Sequence, residues 1–200
     1  MDKNFTTLLK SLQSHLIESQ RLTVEIEKEL MEQQNNLIPA TKKRITLNSI
    51  LTQITQQFAK HSIDVEKATP NNSNFRGLVS LTKQNTANKV NALIKVSRDY
   101  INDSPNNPSD EWCGYHTITK TEINETKINV FIFVIKTKSS LEFFFFNHKE
   151  MSNFINKKGG FPKNGQCRFY LTKTSTGKLI DRRASQNLDI SQYYNNFLSI

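Results

Sequence analysis

Two hundred residues, 36% of them hydrophobic and 13 of them phenylalanine, with a mean hydropathy of −0.56, suit one domain with an appendage or two small domains. The longest apolar run, Leu141 to Phe146, is far shorter than the roughly 20 residues that cross a bilayer and contains Glu142, so no membrane partner is expected. The net charge of +9 is unevenly spread: residues 1–40 hold 4 Lys/Arg against 6 Asp/Glu, residues 41–110 hold 10 against 5, and residues 111–200 hold 13 against 7. Such a cationic surplus suits a polyanionic partner, nucleic acid above all, although it also serves solubility.

The chain runs from Asp2, Lys3 and Asn4 straight into an amphipathic pattern, with no charged, apolar and small-residue cleavage signature. With only Cys113 and Cys167, far apart, it reads as a cytoplasmic protein with reduced thiols. From residue 5 to 37, spacings of four and three alternate through Phe5, Leu9, Leu12, Leu16, Ser19, Thr23, Ile26, Leu30, Gln33 and Leu37. This heptad stripe predicts a long helix that forms a homodimer, docks a partner helix, or packs on its own domain. Asn35, Asn36 and Pro39 end it. Residues 1–40 are thus an N-terminal helix, and residues 41–200 one basic α/β domain.

A second helix is predicted from Thr46 to about His61, capped by Thr46, with Leu47, Ile50, Leu51, Ile54 and Phe58 at helical spacing. Lys42, Lys43 and Arg44 stand at its N-terminus, where free N–H groups already favour anions, and are candidate phosphate contacts. Ser62–Lys67, Gly77–Lys83 and Val90–Val96 read as strands, with a turn cluster from Pro70 to Asn74 and a polar loop from Asn102 to Asp110. Three more strands follow, Trp112–Thr119, Asn129–Thr137 and Leu141–Asn147. The unbroken apolar run from Val130 to Ile135 predicts a central strand buried on both faces, and most of Phe143–Phe146 belongs in the core. A short helix from His148 to Asn156, a basic Gly/Pro loop from Lys157 to Gly165, a hairpin of Cys167–Thr172 with Lys178–Asp181, and a closing helix from Leu188 to Phe197 complete the chain. The fold class is α/β (α+β), a mixed sheet flanked by helices.

Catalytic motifs are incomplete. Neither Gly160–Gln166 nor Gly177-Lys178-Leu179 makes a phosphate-binding P-loop, which needs Gly-Lys-Ser/Thr after its glycines. Cys113-x-x-His116 is the only pair at metal-ligand spacing, without the second pair a zinc site requires. No local signature marks a Cys-His or Ser-His-Asp nucleophile.

The succession of helix 46–61, strand, hairpin ending in Val90–Arg98, loop, Trp112, Phe-rich strand pair and helix resembles the PD-(D/E)xK, or restriction-endonuclease-like, nucleases between about residues 45 and 160. The resemblance implies an Asp at the start of one strand, and an acidic residue or Gln two before a Lys on the next, holding a magnesium ion that activates water. Lys95 falls at the Lys position. Leu93 stands two before it, and no carboxylate lies near Phe75-Arg76-Gly77, so the implied site is degenerate. Asp64 and Glu66 are the carboxylates that could restore an active magnesium-dependent endonuclease; otherwise no cofactor is expected. The remaining functional surface is basic: Lys157, Lys158, Lys163, Arg168, Arg182 and Arg183, with Phe161 or Tyr170 available to stack on bases. The leading expectation is a nucleic-acid-binding protein with a degenerate nuclease-like domain that self-associates or docks a partner through residues 5–37, suited to a restriction or defence assembly. The alternatives are an active endonuclease and a protein-interaction adaptor.

Overall fold

The computed structural model describes residues 45–67, 75–84, 86, 88–101, 110–183 and 187–199, together with Glu18. The heptad stripe of residues 5–37, the cations Lys42, Lys43 and Arg44, and most of the polar loop after Asn102 lie outside the described residues. The chain divides between Lys43 and Arg44, and every element below belongs to the second unit.

Helix α1 (Leu47–Ala59) starts where the sequence places it, because Thr46 and Ser49 cap each other's backbone N–H reciprocally. Its buried face is Ile50, Ile54 and Phe58. The chain then forms β1 (Ile63–Lys67), β2 (Leu78–Lys83), β3 (Lys89–Arg98), β4 (Asp110–Thr119), a one-turn helix α2 (Lys120–Ile123), β5 (Val130–Lys136), β6 (Leu141–Asn147), α3 (His148–Lys157), β7 (Gln166–Thr174), β8 (Leu179–Asp181) and β9 (Leu188–Asp189).

The strands make two sheets, not the single mixed sheet expected: five strands in the order β1-β2-β3-β5-β6 and four in the order β4-β7-β8-β9. The physical reason lies between β3 and β5, which pair in parallel from Ala92↔Val130 to Arg98↔Lys136. A parallel pair needs a long crossover. Here the crossover contains β4, which leaves the first sheet and pairs antiparallel with β7. A polar corner joins the two: Ser97 Oγ accepts the Tyr115 N–H at 2.9 Å, Asp99 Oδ1 accepts the Cys113 N–H at 3.0 Å, and the Tyr100 N–H donates to the Cys113 carbonyl at 2.8 Å. These three bonds satisfy backbone groups of Cys113 and Tyr115 on the open edge of β4.

The apolar run of β5 is buried on both faces as expected, although β3 occupies the middle of the sheet. Phe131, Phe133 and Ile135 face a core shared with β4, β7 and α3, whereas Val130, Ile132 and Val134 face α1. Phe143 to Phe146 are all 2% exposed or less and alternate between the same two cores. Each buried phenylalanine contributes roughly 1.5–3 kcal/mol. Both cysteines are free and buried.

The predicted closing helix is absent. Residues 188–199 form the short β9 and two 3-10 turns, Ser191–Tyr193 and Phe197–Ser199. Aromatic anchoring overrides helical spacing here. Tyr193 packs on Phe146, Phe197 on Phe145, and Tyr194 donates to buried Glu142 at 2.5 Å, while Asn195 turns at φ +50° to bond the Phe143 carbonyl. No helix among the described residues is long and apolar enough to cross a membrane.

Candidate nucleic-acid interface

The basic loop after α3 is shaped by the way that helix ends. Gly159 and Gly160 take positive φ, and their N–H groups return to the carbonyls of Asn156 and Ile155, a Schellman closure that few residues other than glycine allow. Lys158, the C-cap, is thereby turned inward. Its ammonium meets the Asp181 carboxylate, with side chains 4% and 0% exposed, and lies 4.7 Å from the Phe169 ring centroid. Asp181 also accepts the N–H groups of Tyr170 at 2.9 Å and Arg183 at 3.0 Å. One buried carboxylate therefore fixes the loop and sets the path of Arg183. Further along, Gly165 closes a turn on Pro162, and its carbonyl accepts the Lys120 N–H.

The result is a cleft of about 320 Å³ lined by Lys158, Gly160, Asn164, Gln166, Arg168 and Arg183, among others. Lys157, Lys163, Arg168 and Arg183 are exposed, and among the described residues none of them ion-pairs with a carboxylate. The predicted basic cluster is thus divided. Lys158 is held by Asp181, and Arg182 binds Asp110 at 2.6 Å, so these two cations are structural while the other four face solvent.

The β4–β7 pair has two unlike faces. Trp112, Ile118, Phe169 and Leu171 enter the core, Gly114 sits so close to Ile135 that a Cβ would collide with it, and His116 stacks on Phe133 at 4.5 Å. The alternate residues, Cys113, Tyr115, Thr117, Arg168, Tyr170 and Thr172, lie on the opposite face. There Tyr115 is directly opposite Tyr170, and both are half-buried. The Tyr170 hydroxyl is 3.1 Å from the Cys113 sulfur, and the Arg183 guanidinium lies 6.0 Å from the centre of the Tyr115 ring. Arg168 and Arg183 thus belong to both the cleft and this face. Phe161, an expected stacking residue, packs against the inner core instead.

The residues tied to nuclease chemistry are placed differently. Lys95 leaves β3 toward α2 and pairs with Glu122, whose second oxygen accepts the Thr119 N–H at 2.8 Å. Leu93 is fully buried. Gly77 takes φ +95° and lies against the Ile94 carbonyl, leaving no room even for a Cβ where the resemblance implies an Asp. Asp64 and Glu66 share a face of the edge strand β1 but are exposed, Asp64 accepting from Gln84 at 2.9 Å and Glu66 from Lys89 at 3.1 Å. Among the described residues no group of three or more His, Cys, Asp or Glu could hold a metal ion. Sequence reasoning missed Glu122 and Tyr115. The first is announced by the capping-box spacing Thr119-x-x-Glu122, and the second by the alternation of β4, whose partner strand the sequence does not reveal.

No protein-family model, no curated protein and no solved structure matches the chain.

Proposed function

We propose that this chain binds nucleic acid through the cleft between the α3–β7 loop and the end of β8, using a domain organised like the PD-(D/E)xK nucleases but without their metal site. The observation that carries the reading is that Arg168 and Arg183 line one cleft, with Lys157 and Lys163 exposed on the loop that borders it, and that among the described residues none of the four ion-pairs with a carboxylate. A carboxylate beside each would have made a neutral surface. Without them, binding a phosphate backbone releases the counterions that both surfaces otherwise retain. Leu93, Gly77 and the Lys95–Glu122 pair favour binding without cleavage. The heptad pattern of residues 5–37 fits self-association or a partner helix joined to this domain.

The test is binding of the purified protein to labelled single-stranded and duplex DNA and RNA across a salt series, with and without magnesium. The expected result is salt-sensitive binding with intact substrate in every lane. Magnesium-dependent cleavage that disappears in Asp64→Ala would establish the active-endonuclease alternative instead. No binding at low salt would leave an adaptor role.

A further inference from the structure

The cleft is continuous with the outer face of β4–β7, and this continuity says which form of nucleic acid it fits. We infer, resting on the nucleic-acid reading above, that the ligand is single-stranded and that an unpaired base stacks on the Tyr115–Tyr170 pair while its phosphates lie along Arg183 and Arg168. Three observations lead there.

The first is register. Tyr115 and Tyr170 are directly opposite across an antiparallel pair, with Thr117 and Arg168 the opposed pair two residues further along the same face. Cross-strand neighbours have Cβ atoms roughly 4.5–5.5 Å apart, so the two side chains leave the sheet side by side on one face. The second is restraint. The Tyr170 hydroxyl is held at Cys113, and the backbone beside the Tyr115 ring is held by Ser97 Oγ. The Tyr170 side chain therefore has little freedom left to lose on binding. The third is charge. The Arg183 guanidinium lies over Tyr115, its path set by buried Asp181, and Arg168 is exposed with no carboxylate partner among the described residues.

A duplex hides the faces of its bases inside the helical stack, so its phosphates could reach the arginines but its bases could not reach the tyrosines. A single strand presents both. Aromatic surfaces flanked by cations are the general solution for holding single strands with little sequence preference. A protein partner would gain from the rings but would have to supply carboxylates matched to both arginines.

The test uses the full chain and fluorescein-labelled oligothymidylate, oligouridylate and a mixed-sequence duplex of equal length at one ionic strength. Each stacked base contributes roughly 1–3 kcal/mol, so either single strand is expected to bind on the order of tenfold or more tighter than duplex. Tyr115→Ala and Tyr170→Ala should remove most of that preference without changing the salt slope, while Tyr115→Phe should retain it. Should an alanine variant unfold, photocrosslinking of 5-iodouridine oligonucleotide to the native protein, with peptide mapping, reads the same contact, and adducts are expected at Tyr115 or Tyr170. Equal affinity for duplex and single strands, or adducts confined to other segments, overturns this inference and leaves the broader reading standing. Absence of binding to all three probes overturns both.

Discussion

The two faces of the β4–β7 pair come from the same stretches of chain and are built to opposite requirements. On the inner face, Trp112, Gly114, His116 and Phe169 are sealed against β5 and α3, and the cations that reach this side are matched, Lys158 by Asp181 and Lys95 by Glu122. On the outer face, two half-buried tyrosines lie beside Arg168 and Arg183, which have no carboxylate partner among the described residues. Burial forces charge matching on one side, and solvent leaves charge available for a ligand on the other. Substitutions that act on stability should therefore separate from those that act on binding.

The largest expected effect lies at the seam between the faces. Asp181→Ala strands a buried ammonium and removes the acceptor of two N–H groups, and should lower stability by about 3–5 kcal/mol, read as a fall in the urea midpoint. Replacing the pair together, Lys158→Met with Asp181→Leu, should recover most of that loss. His116 is next. Burial first, and then the charge of Lys95, hold its pKa down to about 3. The unfolded chain takes up that proton near pH 6.5, so the contribution of His116 is complete above that value and is lost as pH falls toward 3, at about 1.4 kcal/mol per pH unit. Neither ring nitrogen has a hydrogen-bond partner among the described residues. His116→Phe keeps the stack on Phe133, and should raise the urea midpoint at about pH 5 and flatten its decline on acidification.

Gly114→Ala drives a methyl group into Ile135 and should cost about 1–3 kcal/mol, seen in the thermal midpoint. The smallest stability effect belongs to the outer face, where Arg168→Ala should stay within about 0.5 kcal/mol of the native protein. The same substitution should weaken nucleic-acid binding. If it unfolded the protein, the contrast between the faces would fail.

Much of this arrangement was legible in the residues. Thr46 with its helical spacing gave α1, and the Val130–Ile135 run gave a strand buried on both sides, because local pattern and burial agree there. What escaped depends on contacts distant in sequence. Trp112–Thr119 reads as a strand, but nothing in it says that it pairs with β7 across 50-odd residues rather than with β3 or β5, so two sheets looked like one. In residues 188–197 the apolar spacing suits a helix, yet Tyr193, Tyr194 and Phe197 are each claimed by aromatic or polar partners on β6 that hold the chain in 3-10 turns. The basic cluster was visible as composition. Which cations face solvent was not, because Asp181 and Asp110 had first to be brought beside Lys158 and Arg182.

The central claim is tested most directly by the salt dependence of nucleic-acid affinity for the native chain and for the Arg168→Ala, Arg183→Ala double variant. The expected result is native binding that weakens steeply with salt, and a double-variant slope smaller by about two, one unit for each lost phosphate contact, with an unchanged thermal midpoint. An unchanged slope, or no nucleic-acid binding by the native chain at low salt, would contradict it.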